Sequence, residues 1–451
     1  MTLEEIGRIV GGAVEPEHRD VVVTGPASVD SRAVATGGLF AAMAGEHVDG
    51  HDFVSDAMAN GAAAILASRP VSAPCIVVED VAVALGRLAR AVLKRLPTLV
   101  IAVTGSQGKT SVKDLLAHVL AASGPTVAAS GSFNNELGVP LTVLRADERT
   151  SYLVLEMGAR GIGHIAMLCE IARPHIGVVL NVGSAHLGEF GSPEAIAQAK
   201  GEMVEALSPE DGIAVLNADD PRTSGMVVRT AARVLTFGEH GNVELGPVTL
   251  DQAGEPTFTL SHADETVTVH VPQLGAHHAM NAAAAAAVAV AAGVDLTTIA
   301  ARLGTAEPRS PMRMARTLRD DGVLIIDDSY NANPESVSAA LRAVAHLKAD
   351  GRRLAAVLGE MLELGDEGPR RHGEIGQLAR ELGFDLVVAV GPDAAPIAEG
   401  ASGGPATEVI EAGDTDEASA AVSAWLTPGD VVLVKASRGA RLERVTAALG
   451  A

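Results

Sequence analysis

The segment 104–110, with the sequence TGSQGKT, could bind the phosphates of a nucleotide. It follows the apolar run 98–103, which predicts a strand, and precedes apolar residues with helical spacing over 112–120. Backbone N–H groups and the helix N-terminus would then hold phosphate oxygens, Lys109 would reach the terminal phosphates, and the Thr110 hydroxyl could bind magnesium. The common motif has glycine at position 103, which is Val103 here, so a plain strand-to-helix turn is the alternative. The predicted phosphate contacts are Gly105, Ser106, Gln107, Gly108, Lys109, Thr110 and Ser111.

Lys200 lies where an ammonium group would be costly. Ser192 and Pro193 predict the start of a helix that runs to about residue 207. Ile196 and Met203 belong to its apolar stripe, and Lys200 falls inside that stripe. Burial favours the neutral amine unless the charge is paired. Two interpretations remain: a side chain that reaches solvent at the edge of the stripe, or a functional lysine, either cationic or a neutral, modifiable amine.

Carboxylate, imidazole and amide groups follow predicted strands of the same region. Glu156 ends one apolar stretch, and His186 comes shortly after another, 176–182. Ligands of open α/β sheets bind at the carboxyl ends of strands, so both side chains are candidates for a metal or phosphate site. Magnesium prefers oxygen ligands, which favours Glu156 over His186. Asn134 and Asn135 fall in a predicted loop, where a simple turn is the alternative.

Two polar segments in the last third of the chain also follow apolar strands. The first, 327–334, could hold ribose hydroxyls or a base; alternatively, Asn333 caps the next helix and Pro334 begins it. The second begins at Lys435, whose charge suits an anion, although a solvated strand end is an equal alternative. The candidates in the first segment are Asp328, Tyr330, Asn331 and Asn333.

These candidates need a scaffold, and the sequence predicts one of alternating strands and helices. Strand-length apolar runs alternate with helical patterns of roughly 10–15 residues, which indicates an α/β protein with parallel, covered sheets. Breaks at 95–97 and 307–311 divide the chain into 1–97, 98–309 and 310–451. We expect a small α/β domain, a central phosphate-loop domain with a mostly parallel sheet, and a C-terminal Rossmann-like α/β domain.

Composition and charge narrow the class of protein. The 451 residues carry 34 Lys+Arg and 56 Asp+Glu, a formal net charge of −22, which disfavours nucleic acid or an anionic membrane as the main partner. Two cysteines predict neither a disulfide framework nor a metal centre. The first residues show no secretory signal, and the most apolar stretch, 282–292, is too short to cross a membrane. We therefore expect a cytoplasmic protein.

Lysine is rare in this chain. Arginine can replace lysine wherever only charge and solubility matter, so each remaining lysine invites a specific role. Three of them, Lys94, Lys113 and Lys348, match no motif. The six lysines are Lys94, Lys109, Lys113, Lys200, Lys348 and Lys435.

Taken together, these motifs resemble the Mur ligase superfamily, whose members form amide bonds in ATP-dependent reactions. A phosphate loop without the first glycine is that superfamily's form of the motif, and the match continues in order along the whole chain. Segments 30–32, 38–42 and 45–53 resemble the uridine-nucleotide-binding N-terminal domain of the ligases that add the third amino acid or the D-alanyl-D-alanine dipeptide. Segments 328–334 and 359–365 resemble the dipeptide-adding branch.

The resemblance implies a role for each candidate. Lys109 would bind the ATP phosphates, and Lys200 matches the family's carbamylated lysine, a carboxylate that suits magnesium better than an ammonium does. His278 stands where the family commonly has Asn, and we assign it no role. Two Mg²⁺ ions would be bound by Thr110, Glu156, His186 and Lys200. Further nucleotide contacts would come from Asn281, Arg313, Asp328 and Lys435. Substrate contacts would come from Ser31, Arg32, Asp49, His51, Asn134, Asn135, Tyr330, Asn331 and Asn333.

By the same resemblance, the substrates would be UDP-N-acetylmuramoyl-tripeptide and D-alanyl-D-alanine, joined through an acyl phosphate by a monomeric enzyme of peptidoglycan precursor synthesis. Within the class, the alternatives are the ligase that adds the third amino acid and a folylpolyglutamate synthase relative. Outside it, a phosphate-loop protein that hydrolyses nucleotide as a switch or assembly factor is the alternative. A dinucleotide-dependent oxidoreductase is disfavoured because no GxGxxG segment follows a predicted strand.

Overall fold

A computed structural model gives the structure of residues 1–45, 48–183, 187–404 and 406–450. The strands form three separate sheets, and each sheet takes all its strands from one of the three predicted segments. The predicted α/β class is confirmed, while the domain boundaries near 97 and 309 remain predictions. Within the residues just given, every helix is too short or too polar to span a lipid bilayer.

The N-terminal sheet is small and mostly parallel. Its strands are β1 (Ala13–Val14), β2 (Ala27–Ser28), β3 (Leu39–Ala42), β4 (Ala64–Ala67) and β5 (Cys75–Val77). They lie in the order β1-β5-β4-β3-β2, and β1 alone is antiparallel to its neighbour. Apolar faces of three helices pack on this sheet: α1 (Leu3–Val10), α2 (Val54–Ala59) and α3 (Val81–Leu93).

The second sheet is the largest, and one of its inner strands, β6, leads into the phosphate loop. Its strands are β6 (Leu99–Thr104), β7 (Thr126–Ala128), β8 (Tyr152–Glu156), β9 (Ile176–Val179), β10 (Ile213–Asn217), β11 (Arg233–Gly238), β12 (Val243–Leu245), β13 (Thr249–Leu250), β14 (Pro256–His262) and β15 (Glu265–His270). Their order is β13-β14-β12-β11-β10-β9-β6-β8-β7, with β15 beside β14. Strands β6 to β12 pair in parallel, whereas β13, β14 and β15 form an antiparallel extension that the sequence analysis did not predict.

Helices cover both faces of this sheet. They are α4 (Lys109–Leu120), α5 (Gly138–Val143), α6 (His164–Ala172), α7 (Leu187–Phe190), α8 (Pro193–Glu205), α9 (Pro221–Ser224), α10 (His277–Ala291) and α11 (Leu296–Leu303). Helix α10 is buried almost all round, because its residues 282–289 are alanine and valine with at most 1% exposure. It packs against α4, the helix that follows the phosphate loop.

The third sheet is parallel except at one edge. Its strands are β16 (Ala315–Leu318), β17 (Leu324–Asp327), β18 (Leu354–Gly359), β19 (Leu386–Val390), β20 (Glu408–Ala412) and β21 (Val431–Lys435). They lie in the order β16-β17-β21-β18-β19-β20, with β16 antiparallel to β17. Its helices are α12 (Pro334–Ala345), α13 (Gly368–Glu381), α14 (Ala395–Ala401), α15 (Thr415–Trp425) and α16 (Glu443–Leu449).

The two cysteines are buried and not bonded to each other. Cys75 lies on β5. Cys169 lies on α6, with its Sγ 3.8 Å from the sulfur of Met157 and 4.0 Å from that of Met203. Burial raises the pKa of the Cys169 thiol to about 12, so it is protonated and unreactive at neutral pH.

The single tryptophan, Trp425, ends α15 and packs against the third sheet. The Arg353 guanidinium covers its ring, 4.0 Å from the ring centre.

Candidate nucleotide and magnesium site

The predicted strand, glycine turn and helix around the phosphate loop are confirmed. Strand β6 ends at Thr104, and α4 begins at Lys109. Gly108 caps the helix with a φ of 79°, a left-handed conformation that glycine adopts without strain. A Cβ at Gly108 would also lie 2.7 Å from Oδ1 of Asn281 on α10. The structure therefore favours glycine at position 108 and places Asn281, a predicted nucleotide contact, directly against the loop.

Lys109 lies across the loop to which it belongs. Its Nζ donates a hydrogen bond to the Gly105 carbonyl at 2.8 Å. Burial lowers the pKa of Lys109, an effect opposed by the negative charge of Glu156. Lys109 is one of the residues that line a cavity of about 670 Å³. The other phosphate-loop residues that line this cavity are Ser106, Gln107, Gly108, Thr110 and Ser111.

Asn181, which the sequence analysis missed, holds the phosphate loop in shape. Its Oδ1 accepts hydrogen bonds from the backbone N–H groups of Ser106 and Gln107, each at 3.0 Å. The Ser106 hydroxyl in turn accepts from the N–H of Gly183 at 2.9 Å. Strand β9 ends at Val179 rather than at 182, so Asn181 lies beyond the strand, in a segment that we had counted as part of it. A shorter strand would have placed this polar residue at the strand end, where ligand sites occur.

Glu156 meets Thr110 and Asn134 at the end of β8. Strand β8 lies beside β6, with Glu156 paired with Val103 in the register. The Thr110 hydroxyl donates to Glu156 Oε2 at 2.8 Å, and the Asn134 amide donates to Oε1 at 2.7 Å. Glu156 is only 1% exposed. A hydroxyl and a carboxylate in contact form an all-oxygen donor set, so the residues present fit magnesium.

Arg313 brings the third segment of the chain to the phosphate loop. Its Nη2 donates to the hydroxyls of Thr110 at 3.4 Å and Ser132 at 3.2 Å. Its guanidinium stacks on the Tyr330 ring, 4.3 Å from the ring centre. Nε of Arg313 is buried and finds no partner among the described residues. A buried cationic donor without an acceptor suits an anion such as phosphate.

The backbone around Arg313 is strained. Met312 and Met314 have φ values of 57° and 52°, a left-handed conformation that side chains other than glycine rarely adopt. Hydrogen bonds hold both residues: the Tyr330 N–H donates to the Met312 carbonyl at 3.3 Å, and the Met314 N–H donates to Asp328 at 3.2 Å. Strain of this kind persists only where surrounding contacts fix it, and it is common at functional sites.

Asp328 and Lys435 form a buried ion pair. Nζ of Lys435 lies 2.6 Å from Asp328 Oδ2 and donates to the Asn331 carbonyl at 2.8 Å. Lys435 is 2% exposed, so the alternative that it is a solvated strand end is wrong. Burial lowers the pKa of Lys435, while Asp328 opposes that shift. The pair fixes the loop from 328 to 333, and the predicted nucleotide contacts of both residues remain predictions.

Lys200 is buried, which rules out the interpretation that its amine reaches solvent. The residue is 3% exposed, on the helix that Ser192 caps by accepting from the Ala195 N–H at 3.1 Å. Burial lowers the pKa of Lys200 well below its ordinary value, and the nearby charge of Lys109 lowers it further. Within the described residues, its amine pairs with no carboxylate. His186, another predicted magnesium ligand, lies outside the described residues.

The predicted substrate contacts divide into two groups. Five line the 670 Å³ cavity together with Val29 of the N-terminal segment: Asn134, Asn135, Tyr330, Asn331 and Asn333. Two of these also stabilise helix ends. Oδ1 of Asn135 accepts from the Gly138 N–H at 2.9 Å, and Oδ1 of Asn333 accepts from the Ser336 N–H at 2.8 Å. The alternative that Asn333 caps the next helix is therefore correct, and Asn135 lies just before the turn that leads into α5. Neither contact excludes a substrate contact.

The other four, in the N-terminal segment, do not line this cavity. Arg32 forms an ion pair with Asp30 at 2.8 Å, and Ser31 is buried. Asp49 contacts both His51 Nδ1 at 2.6 Å and Arg69 at 2.8 Å. These side chains hold local structure, and their contacts with a uridine nucleotide remain predictions.

Models of one protein family match most of the chain. The Mur ligase middle domain matches 103–289, the Mur ligase glutamate ligase domain matches 312–438, and the Mur ligase family catalytic domain matches 27–93. The UDP-N-acetylmuramoyl-tripeptide–D-alanyl-D-alanine ligase of Mycobacterium tuberculosis (strain ATCC 25618 / H37Rv) is 47% identical over 100% of this chain and 97% of its own. The chain belongs to the Mur ligase family. The resemblance inferred from the motifs is confirmed.

Solved structures of Mur ligases share the whole fold. A crystal structure of MurF from Acinetobacter baumannii is 32% identical, with a TM-score of 0.85, covering 99% of this chain and 98% of its own. The structure of MurF ligase from Thermotoga maritima in complex with ADP is 33% identical, with a TM-score of 0.80, covering 95% of this chain and 97% of its own. The Mur ligase architecture thus extends from the N-terminal sheet to the C-terminal one.

Proposed function

We propose that the protein is an ATP-dependent ligase that joins D-alanyl-D-alanine to UDP-N-acetylmuramoyl-tripeptide, producing UDP-N-acetylmuramoyl-pentapeptide, ADP and phosphate. The observation that carries this proposal is the meeting of Lys109, the Thr110–Glu156 pair and Arg313 in one cavity. The full-length relatives named for this reaction support the choice of substrates.

The reaction has two steps. An oxygen of the tripeptide's terminal carboxylate attacks the γ-phosphorus of ATP, a new O–P bond forms, and ADP leaves with the bridging oxygen. The amine of D-alanyl-D-alanine then attacks the acyl carbon through a tetrahedral intermediate. The C–O bond to phosphate breaks, phosphate leaves, and the amine releases a proton.

Both steps bring anions together, so the residues of the cavity must offset their repulsion. We propose that Lys109 and the backbone N–H groups of the loop bind the β- and γ-phosphates, and that Arg313 directs its free Nε–H to the γ-phosphate. Asn134, Tyr330, Asn331 and Asn333 would orient the two peptide substrates.

We propose that Thr110, Glu156, His186 and a carbamylated Lys200 hold two Mg²⁺ ions, which would supply charge neutralisation at the phosphates when bound. Carbamylation needs a neutral amine, and the lowered pKa of Lys200 provides one. Closure of the three segments on the cavity would keep water from the acyl phosphate.

The test is an assay of the purified protein with ATP, Mg²⁺, UDP-N-acetylmuramoyl-tripeptide and D-alanyl-D-alanine. We expect phosphate release that requires both peptide substrates, and a product whose mass corresponds to the pentapeptide. Tripeptides that carry lysine or diaminopimelate in third position, assayed side by side, would identify the natural substrate.

The alternatives give different outcomes in the same assay. Phosphate release with UDP-N-acetylmuramoyl-dipeptide and a diamino acid, but not with the tripeptide, would identify a ligase for the third amino acid. ATP hydrolysis that is independent of any amine would indicate a nucleotide-hydrolysing switch. We further propose that the enzyme is monomeric and cytoplasmic, which sedimentation velocity and cell fractionation would test.

A further inference from the structure

Lys113, which matches no motif, is buried on the helix that follows the phosphate loop. It is 1% exposed, and its Nζ donates to the carbonyl oxygens of Ala129 at 2.9 Å and Gly131 at 3.0 Å. It also pairs with Asp114 Oδ1 at 2.8 Å. A buried ammonium is costly unless its hydrogen bonds are satisfied, and these three oxygens satisfy them. Lys113 therefore ties the loop 129–131 to α4.

That loop continues directly into two residues of the candidate site. The Ser132 hydroxyl lies 3.2 Å from that of Thr110, and Ser132 also accepts from Arg313. Two residues later, Asn134 donates to Glu156. The position of Lys113 thus determines where Ser132 and Asn134 lie relative to Thr110 and Glu156, the candidate magnesium ligands.

Asp114, the next residue of α4, holds the linker between the second and third segments. Its Oδ2 accepts from the Ser310 hydroxyl at 2.6 Å, and Ser310 is 8% exposed. One turn further along α4, His118 Nδ1 lies 3.0 Å from Arg309 Nη2. The linker is therefore fixed to α4 at two points, three residues before Arg313 enters the site.

We propose that Lys113 and Asp114 are positioning residues, a clamp that sets Ser132 and Arg313 against the phosphate-loop helix for phosphoryl transfer. The clamp touches none of the reacting atoms. It acts through two segments that are distant in sequence, the loop 129–134 and the linker 307–313, and it gives each a fixed distance from Thr110. The inference rests on the proposed function for its kinetic test, but not for its structural one.

The first experiment compares Lys113→Met with the wild type. ADP lacks the γ-phosphate that Arg313 would reach, and backbone N–H groups of the phosphate loop would bind its β-phosphate, so we expect the affinity for ADP to change by no more than about twofold. Misplacing Ser132 and Arg313 should lower kcat on the order of ten- to a hundredfold, since catalysis is sensitive to displacements of about 1 Å. Amide hydrogen exchange should rise in peptides that cover 129–134.

Lys348→Met is the matched control. Lys348 likewise donates to a backbone carbonyl, that of Gly383, and pairs with an aspartate, Asp385, at 3.0 Å, but it lies within the third segment. The Lys348→Met variant should have a lower free energy of unfolding, without a change in kcat or in amide hydrogen exchange over 129–134. Because the Lys348 side chain is 39% exposed and that of Lys113 only 2%, the two losses of stability need not be equal. Urea unfolding of both variants therefore accompanies the assay, which is run where both are folded, and the clamp predicts that only Lys113→Met then loses kcat.

Ser310→Ala is the mild variant, and it stands in if Lys113→Met does not fold. It removes one hydroxyl, and we expect kcat to fall roughly three- to tenfold with unchanged ADP affinity. Equal kcat and equal exchange in wild type, Ser310→Ala and any folded Lys113 variant would overturn the clamp. If the wild type does not ligate, the proposed function fails, yet exchange over 129–134 and 307–313 still decides whether the clamp exists.

Discussion

Lys200 illustrates how burial can prepare a side chain for chemical modification. An amine that stays neutral at physiological pH can add to CO₂, forming an N–C bond and releasing a proton, and so become a carboxylate. Lys435 is as deeply buried, but Asp328 pairs with its ammonium and opposes the lowering of its pKa, whereas the pKa of Lys200 is lowered well below its ordinary value.

We expect Lys200→Ala to lose activity on the order of a hundredfold, the scale for removing a charge-stabilising group beside a reacting centre. Acetate or formate should restore part of the activity by occupying the space of the carbamate. Ligase assays with and without added carboxylate would measure this. Lys348→Ala serves as the control, with full activity and no response to carboxylate. Undiminished activity of Lys200→Ala would refute the carbamate.

His277 and His278, at the start of α10, should make the free energy of unfolding depend on pH. Their rings lie 4.2 Å apart, and both nitrogens of His278 are buried without partners among the described residues. Burial lowers the pKa of His277 from 6.5 to about 4 and lowers the pKa of His278 well below its usual value. The folded protein therefore keeps both rings neutral, whereas in the unfolded chain both rings take up protons below about pH 6.5.

Because the unfolded state binds more protons, the free energy of unfolding should fall as pH drops from 6.5 towards 4. His277 alone should contribute a loss of about 2 kcal/mol at a pH of about 5. Urea unfolding of wild type and His277→Gln at about pH 7.5 and about pH 5 would measure it. The variant should show a smaller loss than the wild type; identical pH dependence in the two proteins would contradict the assignment.

Among the elements, α10 leaves little room for larger side chains, because its buried residues 282–289 are nearly all alanine. Its alanines let α4 and the second sheet approach closely, and interiors packed at this density do not absorb extra methyl groups. The same helix carries Asn281, so its position bears on the phosphate loop.

Replacing Ala285 with leucine should lower the free energy of unfolding by about 1–3 kcal/mol, the usual cost of overpacking a core. Ala291→Leu, at the partly exposed end of the same helix, is the control and should change stability much less. Urea unfolding of both variants is the measurement. A tolerated Ala285→Leu would mean that the space around α10 is larger than the structure shows.

Elements with strong local signals could be predicted from the sequence. Strand β19 and helix α15 have the bounds that the apolar run 386–390 and the helical pattern 415–425 predict, because each is bordered by turn residues and has a single clear periodicity. The antiparallel extension was missed although Phe258 and Leu260 alternate with threonines, a pattern typical of a half-buried strand. The alternation is readable in the sequence, but the prediction of a mostly parallel sheet placed no antiparallel strands within it.

The site shows the same division between local and long-range information. The placement of Lys109, Thr110 and Glu156 around one cavity could be predicted because loop spacing and strand ends are local patterns. The role of Lys113 could not, since its partners Ala129 and Gly131 are 16 and 18 residues away and are backbone carbonyls, which any residue could supply. Long-range contacts to the backbone leave no signature in a single sequence.

At the scale of the whole molecule, the three segments meet at one cavity. Val29, the phosphate loop and Arg313 all line it, although they come from three segments of the chain that form different sheets. A ligand that binds there should stabilise the folded chain by mass action, since the unfolded chain has no such cavity.

We expect ADP at about 100 times its dissociation constant to raise the free energy of unfolding by about 2.7 kcal/mol. Thermal unfolding with increasing ADP would measure the shift. AMP, which lacks the β-phosphate that Lys109 would reach, should stabilise much less. Lys109→Ala should remove most of the difference between the two nucleotides, and equal shifts for ADP and AMP in the wild type would contradict the role of Lys109.

The scarcity of thiol and indole groups has a practical consequence. Cys75 belongs to the N-terminal sheet, Cys169 packs beneath the second, and Trp425 lies against the third. Since the chain contains no other cysteine or tryptophan, each part carries one native probe. Thiol labelling at Cys75 and Cys169, read by peptide mass, and the fluorescence of Trp425 would follow the three parts separately in a single urea titration. The order in which they lose structure can therefore be measured on the unmodified protein.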